Sequence, residues 1–347
     1  MKLQKTLFIG NGLNRCLTGG ISWDDLLDKI AKTYHVKHES SIVMPLEFER
    51  IINEYLKKTN LKPTRNDESN IYYRTKTQIS SYMQIKKPLG SCVHKDIPFK
   101  LINNIITSNY DMVLEQAYVE SYGGQFSLPN ISPKQNKTKY LLQPTMYDEK
   151  LTFFHPHGII TQPSSICLGY EHYMGMVETI RNKSNRKIKK DSKGNTLNPP
   201  EMVIGRILKG IDTCTNESWE KFYTSDMAIL GFGLPECESD IWWLLTHRAY
   251  LYYTNHDSIG EHINNHIIYY DIIDNSGLPK SDEVIESKHN GFVYINPHIH
   301  FNNKHKLLEG MHVEVRLRVR VYGQTYEDVY RSILKELSSA DSWNTIE

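Results

Sequence analysis

The first predicted strand of this chain ends in a glycine-containing turn, and this combination restricts the fold more than any other feature. Lys5–Gly10 is a short apolar run typical of a buried parallel strand, and it leads into the turn GNGLN (residues 10–14). Two glycines separated by one residue allow a tight turn and let the backbone approach a phosphate closely. The helix after the turn can direct its N-terminus at the same anion. The third glycine of the usual dinucleotide-binding fingerprint is missing, so the motif is non-standard.

Strands and helices alternate along the rest of the chain. Hydrophobic periodicity predicts helices over Ser22–Lys32, Pro45–Lys58, Ile71–Ile85, Met112–Ser121 and Ile241–Tyr253, and one that starts near Glu171. It predicts strands over Ile102–Ser108, Tyr140–Gln143, Leu151–Phe154, Ser165–Leu168, Asp226–Leu230 and His266–Ile273. This alternation indicates an α/β fold, a Rossmann-like doubly wound and mostly parallel sheet. Residues 39–99 carry helical patterns only, so we interpret them as a helical module inserted between the first and second strands.

Composition argues against several classes of protein. The formal net charge is +1, so the chain lacks the global basic field of a nucleic-acid-binding protein. No apolar stretch approaches the roughly 20 residues of a membrane span, and the N-terminal apolar run is too short for a signal peptide. We therefore predict a cytoplasmic protein. The scattered cysteines, without a Cys-x-x-Cys pair, argue against a disulfide framework or a four-cysteine zinc site.

Three further segments lie at the ends of predicted strands, where open α/β sheets bind their ligands. They are TSNYD (residues 107–111), HPHG (155–158) and GFGL (231–234). The asparagine of the first can hydrogen-bond ribose hydroxyls or a water, and its aspartate is either a helix N-cap or a ligand residue. The histidines of the second fit a general base better than a metal site, because no carboxylate or cysteine lies at a convincing spacing. The glycines of the third can place backbone amides against a ligand.

In this order, GNGLN, TSNYD, HPHG and GFGL resemble the motifs of the sirtuin-like family, named for silent information regulator 2. The segment GGISWDDLL (residues 19–27) resembles the divergent bacterial branch of that family. Deacylases of the family usually carry a four-cysteine zinc ribbon after the His-Gly segment, whereas this chain has only Cys167, Cys214 and Cys237 there. The resemblance therefore implies a zinc-less NAD hydrolase, of the branch that includes enzymes of bacterial anti-phage defence. NAD would be its substrate, and no metal is expected.

The resemblance also implies roles for individual residues. Asn109 would orient the ribose hydroxyls or the attacking water, and His157 would act as general base. His155 would support the site from behind, although the sequence alone does not exclude an exchange of roles between the two histidines. The residues expected to bind NAD, the last two of them on its adenosine side, are Gly10, Asn11, Gly12, Asn14, Asp111, Gly231 and Gly233.

Domain organisation and control follow from the same resemblance. Residues 1–252 would form the NAD-binding catalytic domain, and residues 253–347 a C-terminal extension that completes the fold or forms an interface. A non-catalytic NAD or ADP-ribose sensor, and an NAD-dependent deacylase or ADP-ribosyltransferase, remain as alternatives. A free NAD hydrolase would poison its own cell, so we predict control by a homo-oligomer, by a regulatory protein partner, or by both.

Two charged segments stand apart from these motifs. Arg181–Lys193 is a basic run that we interpret as a mobile, solvated loop, with contact to a partner or to phosphate as the alternative. His312–Tyr322 alternates strictly and predicts a half-buried strand with valines and a leucine on one face. We interpret its arginine face as a charged sheet surface that discourages edge pairing, with a subunit interface as the alternative.

Overall fold

The computed structural model describes most of the chain. The described residues are 3–59, 65–83, 89–127, 139–148, 150–211, 213, 215–254, 263–274, 287–289, 292–294, 302–320, 323–339 and 341–343. The strands are β1 (Gln4–Ile9), β2 (Asn104–Thr107), β3 (Met146–Tyr147), β4 (Thr152–Phe154), β5 (Lys187–Lys190), β6 (Thr196–Met202), β7 (Ser225–Leu230), β8 (Ile267–Asp274), β9 (Ser287–His289), β10 (Phe292–Tyr294) and β11 (Glu314–Arg320). The helices are α1 (Asn11–Asn14), α2 (Trp23–Thr33), α3 (Met44–Thr59), α4 (Arg65–Tyr82), α5 (Val113–Ser121), α6 (Tyr170–Ser184), α7 (Val203–Leu208), α8 (Lys221–Thr224), α9 (Ser239–Thr254), α10 (Asn303–Gly310) and α11 (Tyr326–Leu337).

Seven strands form one sheet in the order β11-β8-β7-β1-β2-β4-β3. Every neighbouring pair is parallel except β3 with β4. This arrangement confirms the predicted Rossmann-like α/β fold. The chain leaves β1 for β2 on one side and later adds β7 and β8 on the other, so the strand order reverses between β1 and β7. Open α/β sheets bind ligands outside the carboxyl ends of their strands at such a switch point.

Helices cover both faces of the sheet, which explains why the second half of β1, Leu7–Ile9, is entirely apolar and buried. Phe8 packs into a cluster with side chains of α6 and α9, whereas Leu7 and Ile9 pack into another with side chains of α5 and α11. Successive side chains of a strand point to opposite faces, so a central strand with two covered faces needs apolar residues throughout. Among the described residues, no helix has the length and apolar character needed to cross a membrane.

Helix α2 illustrates how closely local sequence signals match the structure. The Ser22 hydroxyl accepts a hydrogen bond from the Asp25 amide at 3.1 Å, and the Asp25 carboxylate accepts one from the Ser22 amide at 3.1 Å. This capping box satisfies two backbone donors that lack a partner within the helix, and it starts α2 where the sequence predicted. The other helices named above are also found, with ends shifted by a few residues. Residues 84 and 85, at the end of one predicted helix, lie outside the described residues.

Three local predictions are wrong. Arg181–Lys193 contains the end of α6 and strand β5, which pairs antiparallel with β6, so the basic run forms part of a hairpin with exposed lysines. Tyr140–Gln143 is not a strand; the nearest one, β3, begins at Met146. Ser165–Leu168 is buried without strand pairing, and the Cys167 amide donates to the His157 carbonyl at 2.7 Å. Apolar runs of four residues are compatible with any buried segment, which explains the last two errors.

The alternating segment predicted as a strand is β11, at the sheet edge beside β8. Its arginine face is not a solvent-facing surface. Arg316 and Arg318 are only 5% and 2% exposed, because α11 lies over them and the Glu336 carboxylate pairs with both. A helix of the same chain, rather than water or a second subunit, therefore covers these arginines. Residues 321 and 322 lie outside the described residues.

Candidate active site

A cavity of about 460 Å³ opens at the switch point of the sheet. Asn11 and Gly12 line it after β1, Ser108 lines it after β2, and Gly231 and Gly233 line it after β7. Three of the four sequence motifs therefore reach one cavity. Its volume lies within the range of small-molecule and cofactor sites.

The opposite wall of the cavity was not predicted from the sequence. It is lined by Tyr270 near the middle of β8, by Tyr326 and Tyr330 of α11, and by Arg15. Aromatic faces bind flat rings, and a guanidinium binds phosphate oxygens. These residues lie up to 315 positions apart in the chain, so no local pattern connects them.

The first glycine turn packs directly against the second. The amide of Gly10 donates to the Leu230 carbonyl at 3.0 Å, and the amide of Gly12 donates to the Gly231 carbonyl at 2.7 Å. A Cβ on Gly10 would lie 2.6 Å from the Gly231 oxygen, and Gly231 itself has a φ of 63°. These glycines are therefore required by the close approach of two loops, and the two amides of the first turn are already bonded. At Gly233 a Cβ would meet nothing within 4 Å.

Asn14 and Asp111 bind each other rather than line the cavity. Asn14 Nδ2 donates to Asp111 Oδ2 at 2.7 Å, and Asn14 Oδ1 lies 2.8 Å from His94 Nε2. The other oxygen of Asp111 accepts the Val113 amide at the start of α5. Burial raises the pKa of Asp111 to about 6 and lowers that of His94 to about 3. Asn11, rather than Asn14, lines the cavity, and its side chain donates to the Ile21 carbonyl.

Asn109 is buried at the carboxyl end of β2, beside the first glycine turn. Its Nδ2 lies 3.4 Å from the Gly10 carbonyl, and its Oδ1 has no hydrogen-bond partner among the described residues. His155 binds the backbone of Asn109, because its Nδ1 donates to the Asn109 carbonyl at 2.8 Å. The other ring nitrogen of His155, Nε2, lies 2.8 Å from Glu115 Oε1. Burial opposes a charge on His155, but Glu115 outweighs that effect and raises its pKa. His155 therefore occupies a supporting position.

His157 lies between two buried carboxylates, and we call His157, Glu238 and Asp240 the His157 cluster. The Nε2 atom of His157 donates to Asp240 Oδ2 at 2.9 Å, and its Nδ1 lies 3.6 Å from Glu238 Oε2. Burial disfavours the charged imidazolium, but Asp240 and Glu238 outweigh it and raise the pKa of His157 to about 9. Burial raises the pKa of Glu238 to about 7, against the opposing effect of His157. Glu238 also lines the cavity, so HPHG, the fourth motif, reaches the cavity through this cluster.

The His157 cluster contains residue types that can bind a metal ion. The sequence offered no carboxylate at ligand spacing from the histidines, but the fold brings two of them to His157. One ligand atom from each of the three residues lies within 4.8 Å of the others, and such a set can ligate a divalent ion. The hydrogen bond from His157 Nε2 to Asp240 explains the close approach of these two residues without a metal.

Sequence reasoning missed Glu238 and Asp240 although a signal for them exists. They lie in GFGLPECESD, just after a glycine turn at a strand end, and parallel strands bring their carboxyl ends to one edge of the sheet. Two acidic residues there, and histidines after β4, are therefore expected to lie near each other.

Comparison with known proteins gives one family. The model of the SIR2-like domain matches residues 103–197, a stretch that contains both Asn109 and His157. No curated protein matches the chain. The match supports the resemblance to the SIR2-like family over this part of the chain. SIR2-like domains are typically NAD-dependent enzymes, so the match indicates NAD-related chemistry in general.

Proposed function

We propose that this chain cleaves NAD into nicotinamide and ADP-ribose. The observation that carries the proposal is the cavity at the switch point, which three motifs line and which the His157 cluster adjoins through Glu238. Asn109 lies next to the lining residue Ser108, and its Oδ1 is free to accept a hydrogen bond from a ribose hydroxyl or a water. The proposal further assigns the adenosine side of NAD to the second glycine turn.

The chemistry suits such a site. Cleavage of the bond between ribose and nicotinamide gives the anomeric carbon oxocarbenium character, as in glycoside hydrolysis. Nicotinamide leaves as a neutral molecule, so no acid is needed to protonate it. The site must hold the ribose, stabilise positive charge and position a water. Asn109 would orient the ribose or the water, and the carboxylates of the His157 cluster would supply negative potential beside the cavity.

Turnover by the purified chain tests the proposal. We expect loss of NAD with release of nicotinamide, and a fall of at least about 100-fold in Asn109→Ala and in His157→Ala, because positioning and proton transfer each contribute on this order. His35→Asn is a suitable control, since His35 is exposed and asparagine tolerates its φ of 53°. A chain that binds NAD and consumes none would contradict the hydrolase and favour the sensor. NAD loss only with an acyl-lysine peptide or a protein acceptor would favour the deacylase or transferase.

The proposal extends to biological role and control. NAD depletion by a zinc-less bacterial enzyme of this type fits anti-phage defence, and such an activity must be restrained until it is needed. We propose that assembly provides the restraint, through a homo-oligomer, a protein partner or both. Specific activity should then change with chain concentration, or on addition of the products of neighbouring genes, in parallel with mass measured by light scattering. A monomer that is fully active alone would contradict this control.

A further inference from the structure

Exposed cations are concentrated at the end of α6 and on the hairpin of β5 and β6. We call them the basic patch, and its members are Arg181, Arg186, Lys187, Lys189, Lys190 and Lys193. Ile188 is buried between Lys187 and Lys189, so the exposed side of β5 carries lysines. The formal net charge of +1 describes the whole chain, whereas the basic patch places six positive charges on one short segment. This local charge can attract a polyanion although the chain as a whole is nearly neutral.

Carboxylates near the basic patch are bound to other groups. Glu217 pairs with Lys183 at the end of α6, and Glu201 of β6 pairs with cations in and just after α7. Asp191 accepts backbone amide hydrogens within the hairpin turn. Across the part of the chain that the structure describes, no carboxylate forms an ion pair with a member of the basic patch. Its charges are therefore available to a partner.

Aromatic side chains of α9 lie beside the start of the basic patch. Trp243, His247 and Tyr250 share one face of α9, because residues three and four apart are neighbours on a helix, and we call them the α9 stripe. The rings of Trp243 and His247 stack with 4.7 Å between their centroids, and Tyr250 is 62% exposed. Helix α6 packs against α9. Burial, and then the nearby charge of Arg181, lower the pKa of His247, so the two groups of residues adjoin.

The combination of unpaired cations and exposed aromatic rings fits one class of partner better than others. Lysine and arginine side chains bind the phosphates of a nucleic-acid backbone. Aromatic rings stack on unpaired bases, whose faces are covered by neighbouring base pairs in a duplex. An acidic protein surface would match the cations, but it offers no flat rings to Tyr250. Single-stranded nucleic acid supplies both the charge and the rings.

We propose that the basic patch and the α9 stripe together bind single-stranded nucleic acid, with phosphates on the cations and a base stacked on Tyr250. The described residues that line the cavity include no member of either group, so this function does not rest on NAD cleavage. The contacts are to the backbone and to the faces of bases. Binding should therefore show little sequence preference and should weaken steeply as the salt concentration rises.

The salt dependence of binding tests the contribution of the basic patch. Fluorescence anisotropy with a labelled single-stranded oligothymidylate of about 16 nucleotides gives the affinity of the full chain at several salt concentrations. Each phosphate that a lysine neutralises contributes about −0.7 to the slope of log affinity against log salt. Lys187→Gln/Lys189→Gln should therefore bind more weakly at low salt, with a slope less steep by about 1.4. Lys100→Gln/Lys335→Gln is the control and should match the wild type, because these exposed lysines adjoin residues that pack on the opposite face of the sheet.

A second variant tests the contribution of the α9 stripe. Tyr250→Ala should weaken binding of the oligothymidylate by about 5-fold or more, because it removes a ring on which a base stacks. Its salt slope should stay that of the wild type, because no charge is removed. Tyr73→Ala, which removes another exposed ring from α4, should bind like the wild type. Circular dichroism checks that each variant is folded.

Several outcomes would overturn the inference. A wild-type chain that does not bind the oligothymidylate at low salt would contradict it directly. Equal losses in the two double-lysine variants would show a general attraction by charge rather than binding at this surface. If duplex DNA or polyglutamate bound as tightly as the single strand, and Tyr250→Ala had no effect, the surface would bind polyanions in general and not unpaired bases. NAD turnover is measured separately, so none of these results bears on the proposed hydrolase.

Discussion

At the scale of single residues, Gly12 shows how tightly the two glycine turns are packed. A Cβ there would lie 2.7 Å from the Gly231 carbonyl oxygen and 2.6 Å from the Tyr330 hydroxyl. Because the first contact is with backbone, no side-chain rotation relieves it. We expect Gly12→Ala to lower the free energy of unfolding by about 1–3 kcal/mol and to weaken ADP-ribose binding. Urea unfolding followed by circular dichroism measures the first effect, and titration calorimetry the second.

Gly233→Ala is the control for this prediction, because the residue lines the same cavity and its added Cβ meets nothing within 4 Å. Its φ is also not positive, so alanine adopts the same backbone without strain. Its free energy of unfolding should stay within about 0.5 kcal/mol of the wild type. An equal loss in the two variants would show that the close packing of Gly12 is not the cause.

The sequence predicted where the site residues lie relative to the strands, but it did not predict which residues they pair with. The sequence placed Asn109 and His157 at strand ends, and the structure has them there, because a strand followed by a short polar segment is a local pattern. The pairing of His157 with Asp240 is not local: the two residues are 83 positions apart and meet only when β4 and β7 lie in one sheet. That pairing helps to raise the pKa of His157 to about 9, so the expected role of His157 as general base could not be checked from sequence.

At the scale of elements, α11 and β11 form a unit held by Glu336. Its carboxylate pairs with Arg316 and Arg318, which are nearly inaccessible to water, and it accepts a hydrogen bond from the Tyr270 hydroxyl. Glu336→Ala would remove that carboxylate from both arginines, and we expect a loss of about 3 kcal/mol in the free energy of unfolding. Chemical unfolding of the full chain measures it.

A surface pair of the same helix is the control for Glu336. Glu327 pairs with Arg331 one turn further along α11, where both side chains are about one third exposed. Glu327→Ala should cost less than about 1 kcal/mol, because exposed ion pairs contribute little. Losses of similar size in the two variants would contradict the assignment of Glu336 as the partner of buried charges.

Elements with strong periodicity were predicted well, and those whose burial depends on a later element were not. Helix α2 carries its cap and its apolar face in its own sequence. Strand β11 carries alternating valines, which correctly predicted one buried face. Its other face is buried only because α11 returns over the sheet and brings Glu336 with it. Alternation of apolar and charged residues reports which face is apolar, but it does not report that the charged face is exposed.

At the scale of the whole molecule, the cavity joins segments from opposite ends of the chain. Asn11 lies near the start of the chain and Tyr330 near its end, and the parallel sheet brings them to one edge. The switch point could be predicted as the binding region from the order of strands and helices alone. Its composition could not, because the residues of β8 and α11 enter the cavity only through the register of the sheet and the packing of α11 on it.

A ligand in this cavity should therefore stabilise the fold as a unit. At about 100 times its dissociation constant, ADP-ribose should add about 2.7 kcal/mol to the free energy of unfolding, because it binds only the folded chain. Tyr326→Ala, which alters the lining contributed by α11 at an exposed position, should reduce this gain at the same ligand concentration. Tyr73→Ala, at a position of α4 that is also exposed, should not. Urea unfolding with and without ADP-ribose gives both values. An undiminished gain in Tyr326→Ala would mean that the ligand binds without contact to α11. The ligand would then occupy only the part of the cavity that the glycine turns line.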